Sequence, residues 1–500
     1  MTPDGRGGDV ALGVDIGTSG VRVVALDREG RVVDAAENAI PLATPRPGWT
    51  EQDPADWVAA SEAGLGEVAS RVGPDRVAGI GLSGQMHGMV ATDDAGRVVR
   101  PALLWNDQRT AAEAAEIEAA VGRERLVART GNPAVTGFQL PKVLWLRRHE
   151  PEAFARARRV ALPKDHVATS LTGAAAAEPT DASGTGAYHL AAGAWDEEVL
   201  AAVGLDPALW PPLVRSDEVV GGLLPSVAAR VGLPAGLPVV AGAGDNAAAA
   251  TALGLGTAHR EVGSVSLGTS GVLFAAVSEP TPEPAGRVHL FAHADGGYHL
   301  LGVTLSAAGS LRWYRDVFAP GAGYDELVAE AATSPPGAGG VTFKPYLAGE
   351  RSPHLRPDLR GSFHGLSLAT TRADVVRAVL EGVTFSLRQA HEAMAPLAAP
   401  TRWLATGGGA RSDLWLRVLA TVLGAPVGRP AGLDGRETRA GAAEGAARLA
   451  WRALGHAPAR APRAALWFEP DAAQADALEE AYARYVALGP SPREAERRPS

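Results

Sequence analysis

The sequence predicts an α/β protein made of two duplicated domains, and three observations carry that prediction. The segment DIGTSGVR, Asp15 to Arg22, returns almost unchanged as SLGTSGVL, Ser266 to Leu273. Each copy lies in a β-rich run, and between the copies strand-like runs alternate with helical windows. Finally, 500 residues with 46% hydrophobic and 21% charged side chains are too many for one core and ordinary for several folded ones. The expected layout is a first domain over 9–256, a second over 257–488 and a frayed tail over 489–500.

Composition narrows the function. A formal net charge of −9 leaves little to neutralise nucleic-acid phosphates, so small molecules are the expected partners. The absence of cysteine excludes disulfides and thiolate metal sites and fits a reducing compartment. MTPDGRGGDV has no apolar h-region, and the longest small-residue run, Leu233 to Ala258, is broken by Asp245 and several glycines. A cytoplasmic protein without a membrane span is therefore expected. Lysine occurs only as Lys142, Lys164 and Lys344, asparagine only as Asn38, Asn106, Asn132 and Asn246, and Met86 and Met89 are two of four methionines. Where a disfavoured residue persists, chemistry is a reason to look.

In chain order, VALGVDI and VRVVALD are joined through Gly17 to Gly20 as a hairpin over 10–27. Its turn offers converging N–H groups and the Thr18 and Ser19 hydroxyls to an anion. The strand VAGIGLS, 77–83, leads to Gln85, Met86 and His87, and LLWNDQR places Asn106, Asp107 and Arg109 after another strand; such side chains suit polyol hydroxyls. Residues 207–238, rich in Pro and Gly, read as a connection. VVAGAGDNAAAATALG sets Asp245 and Asn246 between a strand and an alanine-rich helix, where the carboxylate serves either as a general base or as a helix N-cap.

The second hairpin covers 262–277 and presents Gly268, Thr269 and Ser270, with Ser266 in the position of Asp15. Two such turns facing each other across a cleft hold a polyphosphate from both sides. Residues 332–340 form another connection. In RADVVRAVLEGVTFSLRQAHEAM, Val376, Leu380, Val383 and Leu387 share one face of a long helix. WLATGGGARSDLWLRVLATVLG runs strand, Gly407 to Gly409, then helix, so that a flat ligand can approach the backbone and a helix N-terminus offers N–H groups. A Walker loop is excluded, because the three lysines follow Pro141, Pro163 and Phe343 rather than glycine. A dinucleotide fingerprint fails because the first glycine turn opens a strand, not a helix. No spacing of His, Asp and Glu marks a protein metal cage.

Taken together, DIGTSGVR, GLSGQMHG, RPALLWNDQR, GFQLPKVLWL, LPKDHV, TDASGTG, AGAGDNAA, SLGTSG, PYLAGERSPH and LATGGGARSDLW, in this order, resemble the FGGY carbohydrate kinases across nearly the whole chain. The resemblance implies two ribonuclease-H-like (actin/hexokinase-type ATPase) domains with an interdomain catalytic cleft that closes over a sugar and MgATP. It implies Asp245 as the base that takes a proton from the terminal hydroxyl of D-xylulose, giving D-xylulose 5-phosphate and ADP. It also implies that Asp15 organises Mg²⁺ through water, since Mg²⁺ keeps much of its hydration. Thr18, Ser19, Arg22, Gly268, Thr269 and Ser270 are then expected on the phosphates and Gly407, Gly408 and Gly409 beside the adenosine. Met86 and His87 are expected on the sugar, with Asn106, Asp107, Arg109 and Asn246 around it.

Three residues depart from the pattern: Arg22 where lysine is frequent, Gln139 where a small residue is usual, and Glu444 where a hydrophobic residue is common. They bear on nucleotide contacts rather than on the reaction class. Within the family, ribulose, gluconate, fuculose and glycerol are the alternative acceptors, with GQMHG favouring xylulose. A non-enzymatic sugar sensor or a chaperone motor would need a DNA-reading or client-binding domain in addition, and neither is expected. Neither a nucleic acid nor a membrane is an expected partner, and a homodimer stays open.

Overall fold

The structure is a computed structural model that describes residues 8–432, 435–438, 441–456 and 461–490. The expected frayed tail lies, from residue 491 onward, outside the described residues.

The first sheet contains Val10–Ile16 (β1), Gly20–Asp27 (β2), Val32–Ala39 (β3), Val77–Gly84 (β4), Val219–Gly222 (β5) and Pro238–Gly244 (β6), in the spatial order β5-β6-β4-β1-β2-β3. β1, β2 and β3 form an antiparallel meander; β4 and β6 run parallel to β1; β5 closes the edge antiparallel. VALGVDI is almost wholly buried, as a central strand must be when both faces are covered.

The second sheet contains Val262–Leu267 (β7), Gly271–Val277 (β8), His289–Ala292 (β9), Tyr298–Thr304 (β10), Arg402–Thr406 (β11), Val427–Pro430 (β12) and Ala464–Phe468 (β13), ordered β9-β10-β8-β7-β11-β12-β13. It repeats the plan: β7, β8 and β10 form a meander, β11 and β12 run parallel from β7, and β13 closes the edge antiparallel. The repeated turn thus marks a repeated sheet topology.

The copies differ in register. In the first hairpin Ile16 pairs with Val21 and Asp15 with Arg22, and Gly17 N donates to Gly20 O at 3.0 Å. In the second, Leu267 pairs with Gly271 and Ser266 with Val272, and Gly268 N donates to Ser270 O at 3.1 Å. The second turn is one residue tighter. Consequently Arg22 lies opposite Asp15, whereas Leu273, its counterpart in sequence, lies opposite Val265 and is buried.

Pro54–Val72 (α1) starts on an Asp53 side-chain cap with Pro54 in its first turn, and it buries Trp57, Leu65, Val68 and Val72 against β2 and β3. Asp245–Leu253 (α2) follows β6 directly. Arg372–Met394 (α3) opens with a Thr371/Asp374 capping box and buries the expected Val376, Leu380, Val383 and Leu387. Asp413–Leu423 (α4) follows the glycine cluster after β11. Ala442–Ala453 (α5) succeeds the second sheet's β12 in the chain yet packs on β1, β4 and α2 of the first half.

That packing is backbone on backbone. A Cβ at Gly13 or Gly81 would lie 1.9 Å from the carbonyl oxygen of Ala443 or Ala446, and one at Gly445 would lie 1.8 Å from Ala248 O. Between the two sheets, Met86 and Phe138 share a buried cluster with Phe274, Phe291, Leu301 and Leu404. Residues 207–238, expected as a connection, contain the edge strand β5 and the helix Pro225–Val231, whereas 332–340 carry only the turn Ala338–Gly340. Among the described residues no helix is long and apolar enough to cross a membrane.

Candidate active site

The parallel strands β1, β4 and β6 end at one edge of the first sheet, and their carboxyl ends carry the chemistry. Asp15 on β1 is level with Ser83 on β4, which is level with Ala243 on β6. The register of β6 shifts between Val240 and Ala243, where Gly242 has φ 76° and a Cβ would lie 1.6 Å from Leu82 O. This bulge re-aims the strand end and delivers Asp245 to the edge.

Asp245 begins α2, but the cap position belongs to Gly244 and no side chain caps the helix. Asp245 Oδ1 accepts from Asn246 N at 2.7 Å and Asn246 Nδ2 at 2.9 Å, which leaves Oδ2 without a hydrogen-bond partner among the described residues. Burial raises its pKa to about 6, against the pull of those two Asn246 bonds. Burial also raises Asp15 to about 7, helped by the negative charges of Asp245 and Glu444 and opposed by Ser83 and Arg22. Asp15 Oδ1 is buried without a hydrogen bond; the Ser83 hydroxyl beside it favours the charged form without meeting hydrogen-bond geometry. An orphaned, partly protonated carboxylate at this edge suits a hydrated divalent cation arriving with a nucleotide, which would supply the missing charge.

Asn246 Nδ2 also lies 3.9 Å from Met86 Sδ. His87 has φ 68°, a conformation few non-glycine residues adopt, and Lys142 Nζ holds it there by donating to His87 O at 2.8 Å and to Gly137 O. The imidazole stacks on Phe138 with centroids 4.6 Å apart, its Nδ1 lies 2.6 Å from Gly184 O, and burial depresses its pKa to about 3, so it is neutral. Below, Lys164 pairs with Asp165 at 2.6 Å and Glu178 at 3.3 Å, and Thr180 Oγ1 bridges Glu178 to Gly244 N at 2.9 Å. The scarcity of lysine pointed to both supports; their partners came only with the fold.

Asp107 and Arg109, expected around the sugar, are bonded to one another. Asp107 is fully buried and accepts from Thr50 N, Arg109 N and the Arg109 guanidinium. Arg109 also reaches Glu51 at 2.7 Å and lies over the Trp49 and Trp145 rings. Asp107 thus spends its oxygens on Thr50 and Arg109, and the guanidinium lies between two aromatic rings, so both side chains have structural bonds in this state. Asn106 Oδ1 is bonded to Thr50 Oγ1 at 2.7 Å. Trp105, which sequence reasoning passed over, is 37% exposed and donates from Nε1 to Thr18 Oγ1 at 3.0 Å. Thr18 Oγ1 in turn donates to Gln85 Oε1 at 3.1 Å, while Ser19 is exposed.

On the second domain, Gly268, Thr269, Gly408 and Gly409 line a cavity of about 530 Å³ together with Arg312, Tyr324, Arg411, Ser412 and Trp415. Gly407 has φ 83° and packs on Leu267 and Gly268, so the two glycine loops abut; Gly407 and Ser270 stand outside the lining. Thr269 Oγ1 lies 3.5 Å from Arg312 Nη2. The start of α4 is less open than expected, because Ser412 Oγ accepts from Trp415 N. Two departures from the pattern prove to be partners: Arg22 Nη2 lies 3.6 Å from Glu444 Oε1. The third, Gln139, is buried and donates to Gly88 O and Ala161 O while accepting from Trp210 Nε1.

The arrangement brings together a carboxylate with one oxygen unbonded among the described residues, a second buried carboxylate, and a glycine turn and a glycine cluster that line a cavity of about 530 Å³. Models of the N-terminal and C-terminal domains of the FGGY family of carbohydrate kinases match residues 10–254 and 263–454. The chain belongs to the FGGY family of carbohydrate kinases. This FGGY kinase is 40% identical over 441 residues to the xylulose kinase of Escherichia coli strain K12, covering 88% of this chain and 89% of that one. It is 39% identical over 417 residues to the xylulose kinase of Lactococcus lactis, covering 82% of each. The crystal structure of a xylulose kinase from Rhodospirillum rubrum superposes with a TM-score of 0.87 at 32% identity, covering 96% of this FGGY kinase and 98% of that chain.

Proposed function

We propose that this FGGY kinase transfers the terminal phosphoryl group of MgATP to the C5 hydroxyl of D-xylulose, giving D-xylulose 5-phosphate and ADP. Asp245 carries the reading: its Oδ2 has no partner among the described residues, Asn246 orients it, and Asn246 in turn touches Met86. Asp245 Oδ2 accepts the C5 hydroxyl proton as the new O–P bond forms and the bond between the transferred phosphorus and ADP breaks. Asp15 would hold the Mg²⁺ that enters with ATP, and the ion would supply positive charge to the phosphates. Thr18 and Ser19 from one turn and Gly268, Thr269 and Ser270 from the other position the phosphates, and Gly407, Gly408 and Gly409 border the adenosine. Arg22 adds charge toward the phosphates when it leaves Glu444. Met86 and the neutral His87 contact the sugar, with Asn246, and Asn106 at the margin. Phosphoryl transfer asks mainly for such positioning and charge neutralisation, and closure of the domains excludes water that would otherwise hydrolyse ATP. With ATP as a substrate and no cysteine in the chain, the cytoplasm is its place of action.

The test is ADP release across D-xylulose, ribulose, fuculose, gluconate and glycerol with MgATP. D-Xylulose is expected to give the highest kcat/KM. Another acceptor ahead by about tenfold, roughly 1.4 kcal/mol of transition-state preference, replaces the substrate while leaving the family in place.

A further inference from the structure

Arg351 is a second-domain residue that faces Gly137 of the first domain, and the reaction as described has no use for it. It follows the strand Thr342–Lys344 in the second domain, and its stem is fixed: Arg351 N donates to Glu350 Oε1 at 2.9 Å, and Ser352 N to Val303 O of β10 at 2.7 Å. The guanidinium, by contrast, makes no hydrogen bond and no ion pair among the described residues, although burial holds its pKa below the usual arginine value. Glu350, its nearest carboxylate, already accepts from Leu305 N, Arg351 N and Ser386 Oγ. A half-buried arginine with no protein acceptor keeps its N–H donors for water or for a ligand that supplies acceptor oxygens.

Its position says which ligand. A Cβ placed on Gly137, in the first domain, would lie 3.5 Å from Arg351 Nη2. Gly137 precedes Phe138, on which His87 stacks, and Lys142 ties Gly137 O to His87 O. The Arg351 charge is felt by His87, Lys142 and His289, each of which it pushes further toward its neutral form. A line of contacts therefore runs from the base to this side chain: Asp245 to Asn246, Asn246 to Met86, Met86 and His87 side by side at Gly184, His87 to Phe138, and Gly137 to Arg351. If Asp245 takes the reacting end of the sugar, Arg351 marks the other.

We propose that Arg351 binds the non-reacting end of the acceptor, donating its forked N–H pair to the C1 hydroxyl and C2 carbonyl oxygens of the ketose, so that the sugar is gripped from both domains. The planar fork matches two adjacent acceptor oxygens, which lysine cannot do. The proposal rests on the ketose reading above. It makes Arg351 a specificity determinant for ketoses over substrates that lack the paired oxygens.

The experiment compares D-xylulose with 1-deoxy-D-xylulose in the wild type, Arg351→Gln and Arg351→Lys. In the wild type, loss of the C1 hydroxyl is expected to lower kcat/KM by about tenfold or more. In Arg351→Gln the KM for D-xylulose rises by about tenfold or more, the KM for MgATP moves less than about twofold, and the preference between the two sugars shrinks to within about twofold. Arg351→Lys keeps the charge and recovers little of the preference. The ratio of two sugars in one preparation does not depend on how much of it is folded. A variant that keeps the wild-type preference overturns the proposal and leaves the ketose kinase standing. A wild type that fails to phosphorylate D-xylulose overturns the substrate reading, and this proposal with it.

Discussion

Because Asp245 caps nothing in α2 beyond its own neighbour, chemistry and stability separate cleanly at this residue. Asp245→Asn keeps the shape and loses the base, and kcat is expected to fall by roughly 10² or more while the sugar still binds. With the free carboxyl near pKa 6, kcat/KM should fall as pH drops below about 6. The linkage runs the other way for the fold. A carboxyl raised from 3.8 to about 6 binds protons more readily in the native state than in the unfolded chain, so its contribution to stability declines as pH rises through that range. Thermal melts should therefore show Asp245→Asn at or above the wild type at pH 8, with the difference shrinking toward pH 4; near-normal turnover with a lower melting temperature would restore the capping role. Asp15 and Ser266 occupy matching places in the two hairpins, yet one MgATP needs an anionic anchor on one side only. Asp15→Ser should cripple turnover and raise the Mg²⁺ requirement, Ser266→Ala should cost little, and Ser266→Asp should weaken ATP binding by bringing a second negative charge toward the phosphates. Kinetics across a Mg²⁺ titration decide it, and equal, mild losses at both positions would refute the asymmetry.

At the scale of elements, the period of the sequence told which strands and helices exist but not how they meet. Both hairpins, α3 with its buried face and the strand–glycine–helix run after β11 were legible because each is a local pattern. The strand β5 was not: Val219–Gly222 is four residues ending in two glycines, and pairing with β6 rather than propensity makes it a strand. Asp107 and Arg109 looked like site residues because nothing local announces Trp49 and Trp145 closing around them. The two identical turns differ because their surroundings do: Thr269 O accepts from Ala307 N and Gly309 N, whereas in the first hairpin Ser19 O accepts from Ile40 N. The return of α5 to the first sheet was equally invisible, since it depends on contacts hundreds of residues apart. That contact yields the sharpest test at this scale. Gly445→Ala sets a methyl group 1.8 Å from Ala248 O, where neither backbone can yield easily, and should destabilise the protein by about 1–3 kcal/mol or more in denaturant unfolding. A loss below about 0.5 kcal/mol would mean that the helices part readily.

Across the whole molecule, the surface where the two sheets meet holds three buried histidines, His289, His293 and His299, and the half-buried His87, among Phe138, Phe274 and Phe291. Burial keeps all four neutral, whereas the unfolded chain protonates its histidines below about pH 6.5, so they subtract stability as pH falls from there. Asp15, Asp245 and Glu350, raised to about 7, 6 and 7, pull in the opposite sense and flatten the wild-type curve. His299, stacked on Phe274 with neither ring nitrogen bonded, is the place to tip the balance. His299→Leu should raise the melting temperature relative to the wild type more at pH 5 than at pH 8, and a pH-independent difference would count against linkage. The cleft between the same sheets also carries its own lamp. Of 11 tryptophans, Trp105 is the most exposed among the described residues, at 37%, with Trp49, Trp195, Trp313 and Trp467 half-buried, and its indole is tied to the Thr18 hydroxyl of the first hairpin turn. Iodide added to the ligand-free protein should therefore quench this emitter most, and the part of the quenching that Trp105→Phe removes should be lost when sugar and nucleotide shut the domains over it, so that closure can be timed without attaching a dye.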